Sequence, residues 1–271
     1  MVTYGNVGYL LRRRSWGPLP RLDGKVVIVT GAKAGLGRAI AGGLARLGAS
    51  VHVLVRGEAE LPFVVHRCDV SVLAEVRAFA SAWEGPLHAV VHNAGVMPPE
   101  RGVTSEGHEL TLATHVLGPH LLTKLLPAER SIWVSSGGMY AQKLVVDDLE
   151  YLKSDYKGVT AYARTKRMQV VLAGEWAKRG KHASSGHPGW VDTPGITHSL
   201  PGFSKLTRPI LRTPEQGADT FVWLAGADVP AGRFWHDRKA RPEHYLGLHR
   251  ESDSDRRKLW EAIEALSEAS A

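Results

Sequence analysis

The stretch Lys25-Val26-Val27-Ile28-Val29-Thr30-Gly31-Ala32-Lys33-Ala34-Gly35-Leu36-Gly37 decides the fold. Its first six residues are short, β-branched and nearly all apolar, the pattern of a strand covered on both faces of a parallel sheet. A glycine-rich turn follows at once, and helical periodicity begins at Leu36. Gly31 permits the tight turn, Gly35 lets backbone approach a pyrophosphate, and Gly37 allows close helix packing. The helix N-terminus then offers free N–H donors and a positive dipole to phosphate. This strand, glycine turn and helix order predicts a dinucleotide-binding βα unit; the alternative is a tight turn with no ligand.

Strand-like runs recur at Ser50–Val55, Phe63–Arg67, Leu87–His92 and Ser131–Ser135. Helical periods lie between most of them, at Leu36–Leu47, Val72–Trp83, Glu106–Leu126 and Thr160–Arg179, with a further helix opening at Thr213-Pro214-Glu215-Gln216. That last start has a hydroxyl cap, proline at the first position and an amide three residues on. Alternating strands and helices predict an α/β fold: a doubly wound Rossmann-type parallel sheet with helices on both faces, in a single domain. Its expected limits are residues 21–240, with an N-terminal extension over 1–20, a Pro/Gly/Ser-rich flap over 193–212, and a partly helical tail over 241–271. Between Arg56 and Phe63 too few residues remain for a linking helix, so one flank of the sheet is expected to be bare.

An enzyme that selects NAD places an acidic side chain after the second strand, whereas a 2′-phosphate calls for cations. Here Val55 is followed by Arg56, and Lys33 sits in the glycine turn. Both point to NADP(H), since Arg suits bidentate phosphate contact; otherwise Arg56 is a solvated loop residue.

Bulk properties exclude several classes. The 271 residues are 44% hydrophobic and 23% charged, with no run long enough to cross a bilayer, so stable membrane insertion is not expected. The net charge of +7 is dispersed, which argues against a nucleic-acid face. Arg12, Arg13 and Arg14 follow the only apolar patch near the N-terminus, the reverse of a secretory signal. A single cysteine, Cys68, cannot form an intramolecular disulfide, and a cytoplasmic location is expected. No residue is assigned to a metal.

Further motifs follow in order: Asp69-Val70, His92-Asn93-Ala94-Gly95, Ser135-Ser136-Gly137-Gly138, Tyr162-Ala163-Arg164-Thr165-Lys166, and His187-Pro188-Gly189-Trp190-Val191-Asp192-Thr193. With the glycine turn, this series resembles the short-chain dehydrogenase/reductase family. The resemblance is closest to its member 12 group, near the retinol-dehydrogenase-like branch, and runs from about Gly24 to Lys239. It implies an oxidoreductase interconverting a carbonyl and an alcohol, acting on a small molecule, apolar here to judge from Ile196, Leu200, Phe203 and Leu206. By the same resemblance Asp69 and Val70 meet adenine, Asn93, Ala94 and Gly95 line the ribose, and Pro188, Gly189, Val191 and Thr193 close over nicotinamide. Family habit implies a homodimer or homotetramer built on the two long helices.

The chemistry asks for such a set. Hydride addition to a carbonyl needs a proton for the alkoxide, and a phenol near pKa 10 needs help to exchange one. Tyr162 and Lys166, four apart, project from one helix face, where an ammonium favours the phenolate. Ser136, preferred over Ser135, would hold the substrate oxygen. His115 stands where the family carries an asparagine that holds a relay water; it either holds that water or simply packs. This substitution and the short connection after Arg56 also admit a nucleotide-binding scaffold without turnover.

Overall fold

The structure, a computed structural model, describes residues 4–192, 210–245 and 249–268. Helix α1 (Asn6–Arg13) precedes β1 (Val26–Thr30), α2 (Gly35–Arg46), β2 (Ser50–Val55), β3 (Val64–Arg67), α3 (Leu73–Ser81) and β4 (Leu87–His92). Next come α4 (Leu110–Leu112), a π-turn (Ala113–Leu117), α5 (Gly118–Leu125), β5 (Ala128–Val134), α6 (Gly158–Lys178) and β6 (His182–Gly186). The chain ends with α7 (Pro214–Leu224), β7 (Phe234–His236), β8 (Lys239–Arg241) and α8 (Asp253–Glu268).

The eight strands form one sheet in the order β3-β2-β1-β4-β5-β6-β7-β8, parallel except for the final β7-β8 pair. The order reverses between β1 and β4, and that switch point opens the crevice beyond the strand C-termini. Because side chains alternate along a strand, Val27 and Val29 enter a core beneath α2 and α7, while Ile28 enters a second core beneath α3, α5, α6 and α8. The expected doubly wound architecture is therefore present.

Several elements depart from the sequence reading. The run expected as one helix over Glu106–Leu126 starts at Leu110, because the buried Glu109 carboxylate accepts the Thr111 and Leu112 amides at 2.8 and 2.6 Å. Glu106 serves another helix, accepting the first amides of α3 from Leu73 and Ala74 at 2.6 and 2.8 Å. The flank after β2 lacks a helix but is not bare, since Ala59, Leu61 and Phe63 pack on the core from the connection itself. Polar β6 is buried because its residues are small: a Cβ on Gly186 would lie 2.8 Å from the Trp235 carbonyl oxygen. Thr213 and Gln216 form the expected capping box on α7.

Two terminal helices frame the body. Helix α1 lies in the stretch treated as an extension and buries Gly8 and Tyr9. The C-terminal helix α8 inserts Leu259 and Ile263 into the core of α5 and α6. Trp260 stacks edge-on against Trp176 at 4.8 Å and carries the Arg179 guanidinium at 3.7 Å. The helix faces that family habit would give to a partner subunit are thus partly covered by the chain's own α8. No described helix is long and apolar enough to cross a membrane.

Candidate active site

A cavity of about 880 Å³ runs along the strand C-termini. It collects Gly31, Lys33, Gly35, Leu36, Gly37, Arg56, Asp69, Val70, Asn93, Ala94, Gly95, Ser136, Tyr162, Lys166, Pro188, Gly189 and Val191. Of the residues singled out in sequence, His115 lies just behind the wall, and Thr193, with the flap residues Ile196, Leu200, Phe203 and Leu206, lies outside the described residues. Trp190 of the Pro-Gly segment lines the cavity as well, and so do Thr114 and Met97, which were not anticipated.

The glycine cradle is built by steric exclusion. Gly31 has φ +68° and Gly35 φ +56°, the left-handed region that favours glycine. A Cβ on Gly37 would lie 2.4 Å from the Asn93 amide nitrogen and 2.5 Å from the Gly31 carbonyl oxygen. Asn93 in turn ties β4 to the end of β1: its Nδ2 donates to the Thr30 and Gly31 carbonyls at 3.0 and 3.2 Å, and its backbone N–H donates to Thr30 Oγ1 at 3.0 Å. The open amides of α2 therefore face the cavity across a rigid floor.

At the adenosine end, Lys33 Nζ donates to the Glu58 carbonyl at 3.2 Å, bridging the glycine turn to the β2-β3 connection. Arg56 is exposed on the cavity rim, and its guanidinium has no partner among the described residues. Asp69 spends one oxygen on Ser71, accepting its amide at 2.9 Å and its hydroxyl at 2.7 Å. Burial pushes the nearby Cys68 thiol up to about 12, so this cysteine stays protonated.

At the opposite end the two serines separate clearly. Ser135 is buried and its hydroxyl donates to the Lys166 carbonyl at 2.7 Å, which ties β5 to α6. Ser136 is half-buried, caps the next turn by accepting the Gly138 amide at 3.2 Å, and lines the cavity beside Tyr162. Burial raises the Tyr162 phenol above its ordinary 10, and the neighbouring Ser136 hydroxyl opposes that shift. This differs from the sequence expectation of a phenol acidified by the ammonium. Lys166 Nζ sits 5.4 Å from the Tyr162 ring centre and is itself pushed down to about 7 by burial.

The Pro-Gly segment is anchored from behind by residues the sequence did not reveal. Gly189 has φ +84°, and a Cβ there would lie 2.6 Å from both the Arg212 side chain and the Tyr4 carbonyl oxygen. Arg212 donates to the Pro188 and Gly5 carbonyls at 3.0 and 3.2 Å and to both oxygens of Asp237. Trp190 N–H donates to the Tyr4 carbonyl at 3.0 Å. The N-terminal segment is thus a structural backing of the cavity lip.

The arrangement can be set beside known proteins. The human dehydrogenase/reductase SDR family member 12 is 36% identical over 92% of this chain and 88% of its own length. The chain belongs to the short-chain dehydrogenase/reductase family. Mouse polyprenol dehydrogenase is 34% identical to this SDR over 89% of the chain and 83% of its own length. Residues 27–199 match the NAD dependent epimerase/dehydratase family, a stretch that spans the cradle and the tyrosine helix of the SDR. An uncharacterized Mycobacterium paratuberculosis protein of known crystal structure superposes with TM-score 0.76 at 25% identity, over 92% of the SDR and 95% of that chain. This SDR is accordingly an oxidoreductase of the NAD(P)-linked kind.

Proposed function

We propose that the chain is an NADP(H)-dependent reductase that interconverts an apolar carbonyl and its alcohol, with Ser136, Tyr162 and Lys166 at the reacting end of the cavity. The observation that carries this reading is a single cavity with the glycine cradle at one end and Ser136, Tyr162 and Lys166 together at the other, Lys166 Nζ lying 5.4 Å from the Tyr162 ring centre. NADP(H), when bound, supplies or accepts the hydride.

The chain's own residues fit that group. The α2 amides and the glycine cradle receive the pyrophosphate, and the unpartnered Arg56 with Lys33 receives the 2′-phosphate. Asp69 and Val70 would flank the adenine, Asn93, Ala94 and Gly95 the ribose, and Pro188, Gly189 and Val191 the nicotinamide. Ser136 holds the substrate oxygen. Tyr162, whose raised pKa keeps the phenol protonated at neutral pH, gives its proton to that oxygen as charge develops there. Lys166 holds the ribose and, when charged, stabilises the phenolate that remains.

The apolar substrate class is supported by the character of the relatives, one of which is named for polyprenol, an alcohol on a hydrocarbon chain. Steady-state reduction of a panel of long-chain aldehydes and ketones, with NADPH and NADH compared, tests the reading. Turnover with an NADPH preference is expected. NADPH binding without turnover of any member would instead identify a scaffold, the reading favoured by the sealed His115 ring described next.

A further inference from the structure

His115 departs from the family pattern, and its surroundings explain what replaces the missing asparagine. The ring is fully buried, its Nε2 accepts the Val96 amide at 3.0 Å, and its Nδ1 lies 2.7 Å from Thr165 Oγ1. A backbone N–H can only donate, so Nε2 carries the lone pair and Nδ1 the hydrogen. Thr165 Oγ1 accepts that hydrogen and donates its own to the Tyr162 carbonyl at 2.9 Å. Burial, with the Lys166 charge adding to it, holds this imidazole well below its ordinary pKa. Both ring nitrogens are therefore committed to protein, and the ring neither holds a relay water nor changes charge near neutral pH.

What does reach Lys166 is Gln169, which is completely buried one turn further along α6. Its Oε1 accepts from Lys166 Nζ at 3.1 Å, and its Nε2 donates to the His115 carbonyl at 2.8 Å. Lys166 Nζ also donates to the Val134 carbonyl at 2.8 Å. An ammonium has three donors, so two are held by protein and the third is left for the cavity that Lys166 lines.

We propose that Gln169 is a positioning residue that spans from Lys166 to the His115 carbonyl, fixing the lysine head between β5 and the π-turn with protein groups alone. The amide joins Lys166 directly to the backbone of the π-turn. A primary amide does not exchange protons readily near neutral pH, so the site recharges Tyr162 from the cavity side. The proposal rests on the functional reading only for the role of Lys166; the hydrogen-bonded span is independent of it.

The titratable groups around Lys166 are Tyr162 on its own helix and His115 from the π-turn; β5 presents the Val134 carbonyl and Ser135. A change at position 169 therefore acts on Lys166 directly. The test is competitive acetylation of the full-length chain across pH, with Lys166 followed by peptide mass spectrometry, in wild type, Gln169→Glu and Gln169→Leu. Wild-type Lys166 is expected to titrate near 7. Gln169→Glu places a carboxylate against the ammonium and raises that midpoint by about one unit or more, cutting the labelling rate at neutral pH about five-fold. Gln169→Leu removes an acceptor and lowers the midpoint.

The labelling needs no turnover, so an inactive wild type would sink the functional reading and leave this result standing. In an active enzyme, the fall of kcat/KM with rising pH moves up in Gln169→Glu, which a merely structural role would not produce. Should Gln169→Glu not fold, Gln169→Asn shortens the reach and must likewise displace the midpoint. An identical Lys166 midpoint in wild type and in every folded variant overturns the proposal.

Discussion

Arg212 and Asp237 form a bidentate ion pair, Nη1 to Oδ1 at 2.6 Å and Nη2 to Oδ2 at 2.9 Å, with both side chains 1% exposed. The pair joins the β7-β8 turn to the Pro188 carbonyl and to Gly5, so it braces the lip of the cavity from beneath. Losing one side of a buried pair costs about 3–5 kcal/mol when the other charge is stranded, but Asp237 would keep the Arg12 guanidinium, which donates to its Oδ2 at 2.6 Å. Arg212→Leu is therefore expected to lose stability, by less than that full cost, in denaturant unfolding and to weaken NADPH binding. Burial pushes the Asp237 carboxyl up, but the Arg212 hydrogen bonds together with the charges of His236, Arg212 and Arg12 outweigh it and hold the pKa below 3.8. The stabilisation is therefore complete above that value and disappears as pH falls through the lower folded one.

Lys166 gives a second pH signature of the same rising direction, at higher pH. Its folded pKa of about 7 lies below its ordinary 10.5, so between those values the unfolded chain binds the extra proton and stability rises with pH. Below about 7 the buried ammonium costs stability in full. Lys166→Met is expected to raise Tm at pH 6, by roughly 2–4 °C for each kcal/mol relieved, while abolishing turnover. In wild type, kcat/KM for carbonyl reduction is expected to fall as pH climbs through about 7, where the charge that supports the phenolate is lost. A profile flat to pH 9 would contradict this.

Arg56 lies on the rim of the cavity with no partner among the described residues. A charge-assisted hydrogen bond to phosphate is worth about 1.5–3 kcal/mol. Arg56→Ala should therefore weaken NADPH affinity by one to two powers of ten and leave NADH nearly unchanged, as read by cofactor fluorescence titration. Equal losses for both cofactors would remove Arg56 from 2′-phosphate recognition.

Helix α8 occupies the faces of α5 and α6, with Ile263 fully buried against them and His120 Nε2 3.0 Å from Glu264 Oε1. Ile263→Ala is expected to destabilise by about 2–5 kcal/mol. Truncation before Ser252 uncovers that apolar face, and light scattering should then report self-association greater than that of the intact chain. An unchanged mass after truncation would show that α8 shields nothing adhesive.

The parts legible in sequence are those set by local pattern. The run Val26–Thr30 is apolar on both faces because both faces are covered, and Gly31 and Gly37 are glycines because Ala94 and Asn93 leave no room for a Cβ. The Thr213 cap was readable for the same reason, since its partner Gln216 is three residues away. What escaped depends on partners distant along the chain. The three-residue strands β7 and β8 carry too little pattern, and α1 docks through Arg212, some 200 positions away. The π-turn at Ala113–Leu117 has ordinary helical composition; its sign was His115 itself, an odd residue at a position the family gives to asparagine. Gln169 was invisible because its meaning lies in two contacts, Lys166 and the His115 carbonyl, that only the folded α6 and π-turn bring together.

The most direct test of the account is the rate at which the wild type and Tyr162→Phe oxidise bound NADPH in the presence of a carbonyl that the wild type reduces. Phenylalanine keeps the ring that meets His115 edge-on at 5.4 Å and removes only the hydroxyl that donates the proton. The prediction is unchanged NADPH affinity with a rate reduced by about two to four powers of ten, the usual worth of a general acid. A Tyr162→Phe enzyme that reduces the carbonyl at the wild-type rate would contradict the account.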